Sequence, residues 1–178
     1  MKKCRSKGCD NEFVQYSTLQ NLCVPCSIAK GRKIEAKEER KEHQKRKDNL
    51  LTLSDHMKLT QAVFNKWIRL RDARESCISC GTQNPNVQYC AGHYFTRGGH
   101  PELRFDELNV HKQCNKHCNL ELSGNIAAYR VNLIRKIGQD AMDYLEGPHD
   151  PKNYTIDDLK QIRKYYAKLS RELEKACG

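Results

Sequence analysis

"AGHYFTRGGHPELRFDELNVHKQCNKHCNLELSGN", residues 91–125, holds four histidines, two cysteines and four asparagines around a Gly-Gly step, with few large apolar side chains. Such a stretch makes poor hydrophobic core and offers many metal-binding and hydrogen-bonding groups. Its flanks suggest how it folds. Cys77 and Cys80 stand upstream in "CISC", and Cys114 and Cys118 downstream. A C-x2-C pair and a C-x3-C pair at this separation predict a tetrahedral four-thiolate Zn²⁺ site. His117 is the alternative to Cys118, because the gap from Cys114 is then two residues. Between the pairs, "NVQYCAGHYF" has the β-branched and aromatic content of a short strand. "TRGGHPE" reads as a turn, "LRFDELNVH" as the start of a second strand, and a helix is expected after Cys118. The order is strand, loop, strand, helix, with zinc pinning the ends. His93 closes the first strand, and Asn109 and Asn119 lie near the second strand and the helix start.

Outward from this segment the pattern is helical. "SDHMKLTQAVFNKWIRLRDA" carries Leu59, Val63, Trp67 and Leu70 on one stripe with Phe64 and Ile68 beside it, and Ser54 as its cap. "SGNIAAYRVNLIRKIG" reads as a helix ended by Gly138, and "QDAMDYLEG" as a short one ended by Gly147. "TIDDLKQIRKYYAKLSRELEKA" begins with a Thr155–Asp158 capping box. Its apolar face is Ile156, Leu159, Ile162, Tyr166, Leu169 and Leu173. That face is suited either to docking within the chain or to pairing with a second subunit.

Residues 1–26 read C-x4-C-x13-C-x2-C over Cys4, Cys9, Cys23 and Cys26, a second four-thiolate Zn²⁺ module. So short a segment needs such a staple to fold. Residues 27–50 form a charged helical spacer without an apolar seam. Its Glu35–Glu39, Glu38–Glu42 and Lys37–Lys41 pairs are repulsive at i,i+4, while Glu42–Arg46 is attractive. Its lysines and arginines could also follow a phosphate backbone. Residues 51–178 form the globular part. The fold class is α+β and mostly helical. Cys90 and Cys177 stand outside both quartets.

Lys+Arg outnumber Asp+Glu by 32 to 22, a net charge of +10, which points to a polyanion, above all nucleic acid. No apolar run of membrane-spanning length and no secretory signal stand out, so a cytosolic protein with metal-binding cysteines is expected.

The order C-x2-C, His93, Gly-Gly turn, Asn109, Cys114 and Cys118-Asn119 resembles HNH endonucleases of the ββα-metal type. More narrowly, "CISCG", "AGHY", "PELRF", "NVHKQC" and "CN" followed by "LSGN" resemble the bacteriophage NinG family of recombination proteins, over most of the chain. The resemblance implies an endonuclease that cuts branched recombination intermediates, Holliday junctions and D-loops, in the cytoplasm of the bacterial host. It implies catalytic Mg²⁺ or Mn²⁺ beside two structural Zn²⁺. It gives His93 the role of general base, Asn109 that of a brace for the loop or of a hold on the histidine's other nitrogen through a backbone contact, and Asn119 that of a cation ligand. Arg97, Arg104 and Lys112 are candidate phosphate contacts. The two-fold symmetry of a junction implies a homodimer, and phage or host recombination proteins are further partners. Two departures stand out. Gly92 occupies the place where HNH enzymes commonly carry a metal-binding Asp or His, and Cys90 stands where the family is expected to carry Asp. A thiol is a poor ligand for Mg²⁺. Asp106, Glu107, His111 and His117 are the candidate substitutes. His100 reads as a solvated turn residue. The competing reading is a non-catalytic, two-zinc DNA-binding factor with a degenerate site.

Overall fold

A computed structural model describes residues 1–177, without the side chain of Cys177. Contacts divide the chain into two units, Met1–Leu51 and Thr52–Gly178. In the first, β1 (Lys2–Lys3) and β2 (Glu12–Phe13) form a minimal antiparallel pair. Cys23 caps the helix α1 (Val24–Leu50), and Pro25 sits in its first turn, where a missing N–H costs nothing. The buried side chains of the first unit are Cys4 and Cys23, while Val14, Tyr16 and Leu19 are exposed. No residue of α1 is buried. This unit therefore lacks an apolar core, as expected of a segment held by metal.

In the second unit, α2 (Leu53–Arg71) starts from a capping box one turn before its first buried residues. Thr52 Oγ1 accepts from the Asp55 N–H at 3.2 Å, and the Asp55 carboxylate accepts from the Thr52 N–H at 3.0 Å. The cap is thus Thr52 rather than Ser54, which lies inside the first turn. The buried side of α2 is His56, Thr60, Gln61, Phe64, Trp67 and Ile68, and Leu59 of the expected stripe is exposed. The reason lies in α5 (Ile156–Cys177), which packs along α2. Phe64 lies 4.8 Å from the Tyr166 ring and 5.5 Å from Phe105, and Thr60 donates to the Leu159 carbonyl at 3.0 Å. The apolar face of α5 docks within the chain, with Ile162, Leu169 and Leu173 flanking the seam. Thr155 and Asp158 form the expected box at its start.

The strands β3 (Tyr89–His93) and β4 (Val110–Cys114) form an antiparallel hairpin with Tyr89 opposite Cys114 and His93 opposite Val110. The second strand starts at Val110, later than "LRFDELNVH" suggested. Pro101–Leu103 instead makes a 3-10 turn, and Asp106 accepts from the Leu108 N–H in an Asx turn. The loop is anchored by Leu103 and Phe105, both buried. After Cys114 the chain makes a π-helical segment, Asn115–Glu121. Ser123, Gly124 and Asn125 then take φ values of 48°, 91° and 46°, so a regular helix cannot continue. The helix α3 begins at Ile126, later than expected, and runs to Ile137. Gly138, at φ 85°, separates it from α4 (Gln139–Glu146). Tyr129 and Leu133 of α3 join Met142 and Leu145 of α4 with Tyr94 and Leu103 in a second core. Among the described residues no helix is long and apolar enough to cross a membrane.

Candidate metal centres and cleft

The sulfurs of Cys77, Cys80, Cys114 and Cys118 lie within 4.8 Å of one another. Cys77 and Cys118 are 3.8 Å apart, and Cys80 and Cys114 3.5 Å. A ZnS4 tetrahedron with bonds of about 2.3 Å has edges of about 3.8 Å. Disulfides, at about 2.05 Å, are excluded. Against the burial that raises it, N–H groups of Cys80, Cys114 and Ser79 bring the Cys77 thiol down to about 7. Burial and the neighbouring Cys80 and Cys77 push Cys118 up to about 12. Four sulfurs this close cannot all ionise unless a cation sits among them, which a Zn²⁺ would supply. Cys118 completes the quartet. His117, largely exposed, instead meets Glu121 at 3.3 Å. The site ties the turn after α2 to the end of β4 and the π-helical segment.

Cys4, Cys9, Cys23 and Cys26 form the second quartet within the same 4.8 Å limit. Cys9 and Cys23 are 3.8 Å apart. The Cys23 N–H donates to Cys4 Sγ at 3.4 Å, and Asn11 Nδ2 to Cys23 Sγ at 3.7 Å. The Cys26 N–H is the main group that brings the Cys23 thiol down to about 6. Both quartets suit a structural zinc.

A third feature is a cleft of about 440 Å³ lined by Cys90, His93, Arg97, Asn119 and Ser123, with Asn65 contributed by α2. Three of the sequence candidates, His93, Arg97 and Asn119, therefore share one cleft. His93 Nε2 lies 3.1 Å from the Arg104 carbonyl. That bond requires the proton on Nε2 and leaves Nδ1 with its lone pair. Burial, helped by the charges of Arg97 and Arg104, holds the imidazole down to about 4, so it is neutral at cellular pH.

Asn109 is fully buried behind the cleft. It accepts from the Phe95 N–H at 2.7 Å and donates to the carbonyls of Phe95 and Leu103 at 3.1 and 3.0 Å. It braces the loop that carries Arg97. Arg104 acts on His93 through its carbonyl, while its side chain donates to Gln61 at 2.9 Å. Lys112 does not line the cleft. Its ammonium binds the carbonyls of Ala73 and Glu75 at 3.0 and 2.8 Å and lies over the Tyr89 ring.

Gly92 is closed to any side chain. A Cβ there would stand 2.8 Å from Gln113 Cβ, and the Gln113 amide is fixed by bonds to Ser79 Oγ and the Gly124 carbonyl at 2.7 and 2.6 Å. Burial pushes the Cys90 thiol up to about 11, so it stays protonated. None of the four candidate substitutes lines the cleft. Asp106 binds Tyr144, Glu107 binds Tyr166, and His111 is buried against Arg71. Among the described residues the cleft thus offers a hard cation neutral side-chain oxygens, among them those of Asn65, Thr96, Asn119 and Ser123, and no carboxylate. Mg²⁺ keeps several waters and takes ligands from substrate phosphates. It is ordinarily held by one or two carboxylates as well, which the described lining of the cleft does not supply.

The sequence reading missed a buried ionic cluster. Asp72 receives two bonds from Arg71 at 2.7 and 2.8 Å and one from the Lys112 N–H at 3.0 Å, with Lys136 at 3.6 Å. Against burial, Arg71, His111 and the Lys112 N–H hold the Asp72 carboxyl well below its ordinary range. The cluster joins the end of α2 to β4 and α3. Its members are spread over 65 positions of chain, from Arg71 to Lys136, and no local pattern marks it.

The family model described as "Bacteriophage Lambda NinG protein" matches residues 1–176. The chain is similar to the protein ninG of Escherichia phage 933W, 44% identical over 117 residues, covering 66% of this chain and 57% of that protein. It is similar to the protein ninG of Escherichia phage lambda, 44% identical over 117 residues, covering 66% and 56%. The protein ninG of Enterobacteria phage H19B is 47% identical over 107 residues, covering 60% and 52%. The matches span little more than half the length of these relatives. No solved structure matches the chain.

Proposed function

The chain belongs to the NinG family of bacteriophage proteins, and from that premise we propose that it cuts branched DNA, Holliday junctions and D-loops, by metal-assisted phosphodiester hydrolysis in the His93 cleft. The observation that carries this reading is the state of His93. Its Nε2–H is committed to the Arg104 carbonyl, its Nδ1 carries a lone pair, and it is neutral. A neutral imidazole can take a proton from an attacking water, and one held down to about 4 is a weak base for that step. Arg97 lies in the same cleft and neutralises a phosphate oxygen. Asn109 is a positioning residue, since it braces the loop of Arg97 and touches no reacting atom. Asn119 would hold a Mg²⁺ or Mn²⁺ together with the phosphate. Such an ion would supply positive charge to the phosphate and the leaving oxygen. The two zinc quartets are structural. The two-fold symmetry of the substrate makes a homodimer the working form, acting in the host cytoplasm with other recombination proteins.

One set of observations favours a second reading, a DNA-binding factor that does not cut. Position 92 is closed, Cys90 is protonated and no carboxylate of the described residues lines the cleft. Cleavage of a labelled four-way junction separates the two. The purified protein is tested with Mg²⁺, with Mn²⁺ and with EDTA, beside a linear duplex of the same sequence. Metal-dependent cutting of the junction, reduced at least about 100-fold in His93→Ala with binding retained, is the expected result. Tight binding without cutting in either metal would establish the binding-factor reading instead.

A further inference from the structure

The helix α1 segregates its charges in a way that a solvated spacer does not need. With about 3.6 residues per turn, Lys30, Lys33, Lys37, Arg40, Lys41 and Lys47 fall within an arc of about 120°. Glu35, Glu38, Glu39 and Glu42 fall within about 100° on the other side. Arg46 lies among the acids, Arg32 and Lys45 lie at the two edges of the acidic side, and Asp48 lies on the basic side, bound by Gln44 at 2.9 Å. Like charges stacked three and four residues apart destabilise a helix, and alternating signs would support it. Among the described residues the one ion pair within α1 is Glu42–Arg46, at 3.9 Å. The sequence thus arranges charge against the stability of its own helix. A polyanion lying along the basic side removes that repulsion.

Other occupants fit less well. Of the exposed apolar residues, Val24 and Ile28 lie in the first turns of the helix, Leu50 is its last residue and Ile34 stands alone between them. They form neither the apolar face that a lipid surface requires nor the seam of a coiled coil. From Lys30 to Lys47 the basic side runs about 26 Å, most of one turn of duplex DNA. It begins beside the zinc quartet, at a cleft of about 290 Å³ lined by Ser6, Leu22, Ala29, Lys30 and Lys33. The zinc quartet fixes the first turn of α1 through Cys23 and Cys26, so this end of the basic side is held in place.

We propose that the basic side of α1, anchored by the first zinc quartet, docks along the phosphate backbone of an arm of duplex DNA, while its acidic side faces away. The inference deepens the DNA-cutting reading and rests on it for the partner, but not for catalysis.

The test measures binding of a fluorescent 30-base-pair duplex to the full, zinc-loaded chain across a salt series. The variants are Lys33→Gln/Lys37→Gln/Lys41→Gln and, on the other side, Glu35→Gln/Glu38→Gln/Glu39→Gln, which leaves the Glu42–Arg46 pair in place. Each neutral set removes like-charge contacts, so α1 and the zinc content are retained, as checked by circular dichroism and zinc release. The lysine set is expected to weaken binding at least about 10-fold and to lower the slope of log K against log salt by about 3. The glutamate set is expected to bind as tightly as the parent or tighter. Unchanged affinity and slope in the lysine set would overturn the proposal. So would equal loss in both sets, or a change confined to self-association measured by sedimentation. Junction cutting by the parent chain keeps the two readings apart. A parent that shows the lysine-dependent salt slope but cuts no junction counts against the His93 cleft and leaves α1 untouched.

Discussion

A buried imidazolium is costly, and His93 has no acidic partner to offset it. Its pKa falls from the ordinary 6.5 to about 4 on folding. The unfolded chain therefore binds the proton more readily than the folded one. Stability contributed by neutral His93 is complete above pH 6.5 and is lost as pH falls toward 4. We expect the drop in unfolding free energy between pH 7 and pH 4 to exceed that of His93→Gln by about 2–3 kcal/mol. Urea unfolding at the two pH values measures it, and parallel pH dependence in both proteins would refute the buried neutral imidazole. One residue away, Gly92→Ala is expected to destabilise by about 1–3 kcal/mol, because Gln113 cannot withdraw. In a Gln113→Ala background that cost should largely vanish, a coupling that a double-mutant cycle detects. An additive cycle would place the strain elsewhere. Both residues could be singled out in the sequence, His93 by its motif and Gly92 as a departure. The reason for Gly92 is the side chain of Gln113, which meets it only once β3 and β4 pair.

At the scale of elements, short-range patterns were legible and contacts between distant segments were not. Thr155 with Asp158, Gly138 and Gly147 marked helix ends correctly, because capping involves groups within one turn. The stripe on α2 was read one position off. A helix that packs on α5 on one side and near the hairpin on another buries a sector that its own periodicity does not define. The late start of β4 has a similar cause, since Asp106 holds the Leu108 N–H and Asn109 holds Phe95 and the Leu103 carbonyl, which organises the loop after the Pro101–Leu103 turn. Cysteine spacing left Cys118 and His117 as alternatives, and the π-helical segment turns Cys118 inward. Cys118→Ser is therefore expected to release one of two zinc ions per chain, and His117→Ala neither. Zinc counted with a colorimetric chelator distinguishes them. A loss of zinc in His117→Ala would reassign the fourth ligand.

For the whole molecule, the sequence by itself determined both cysteine quartets, the charged helix between them, the helical character of the rest and the resemblance to one phage family. These rest on spacing, periodicity and composition, which act over a few residues or over the entire chain. Tertiary structure alone decided which polar residues meet. It brought His93, Arg97 and Asn119 to one cleft, set Lys112 and His111 to structural work, and buried Asp72 among Arg71 and Lys136. The physical reason is range. A hydrogen bond or ion pair depends on distances of about 3 Å between atoms that the chain separates by tens of residues, and no local pattern carries that information.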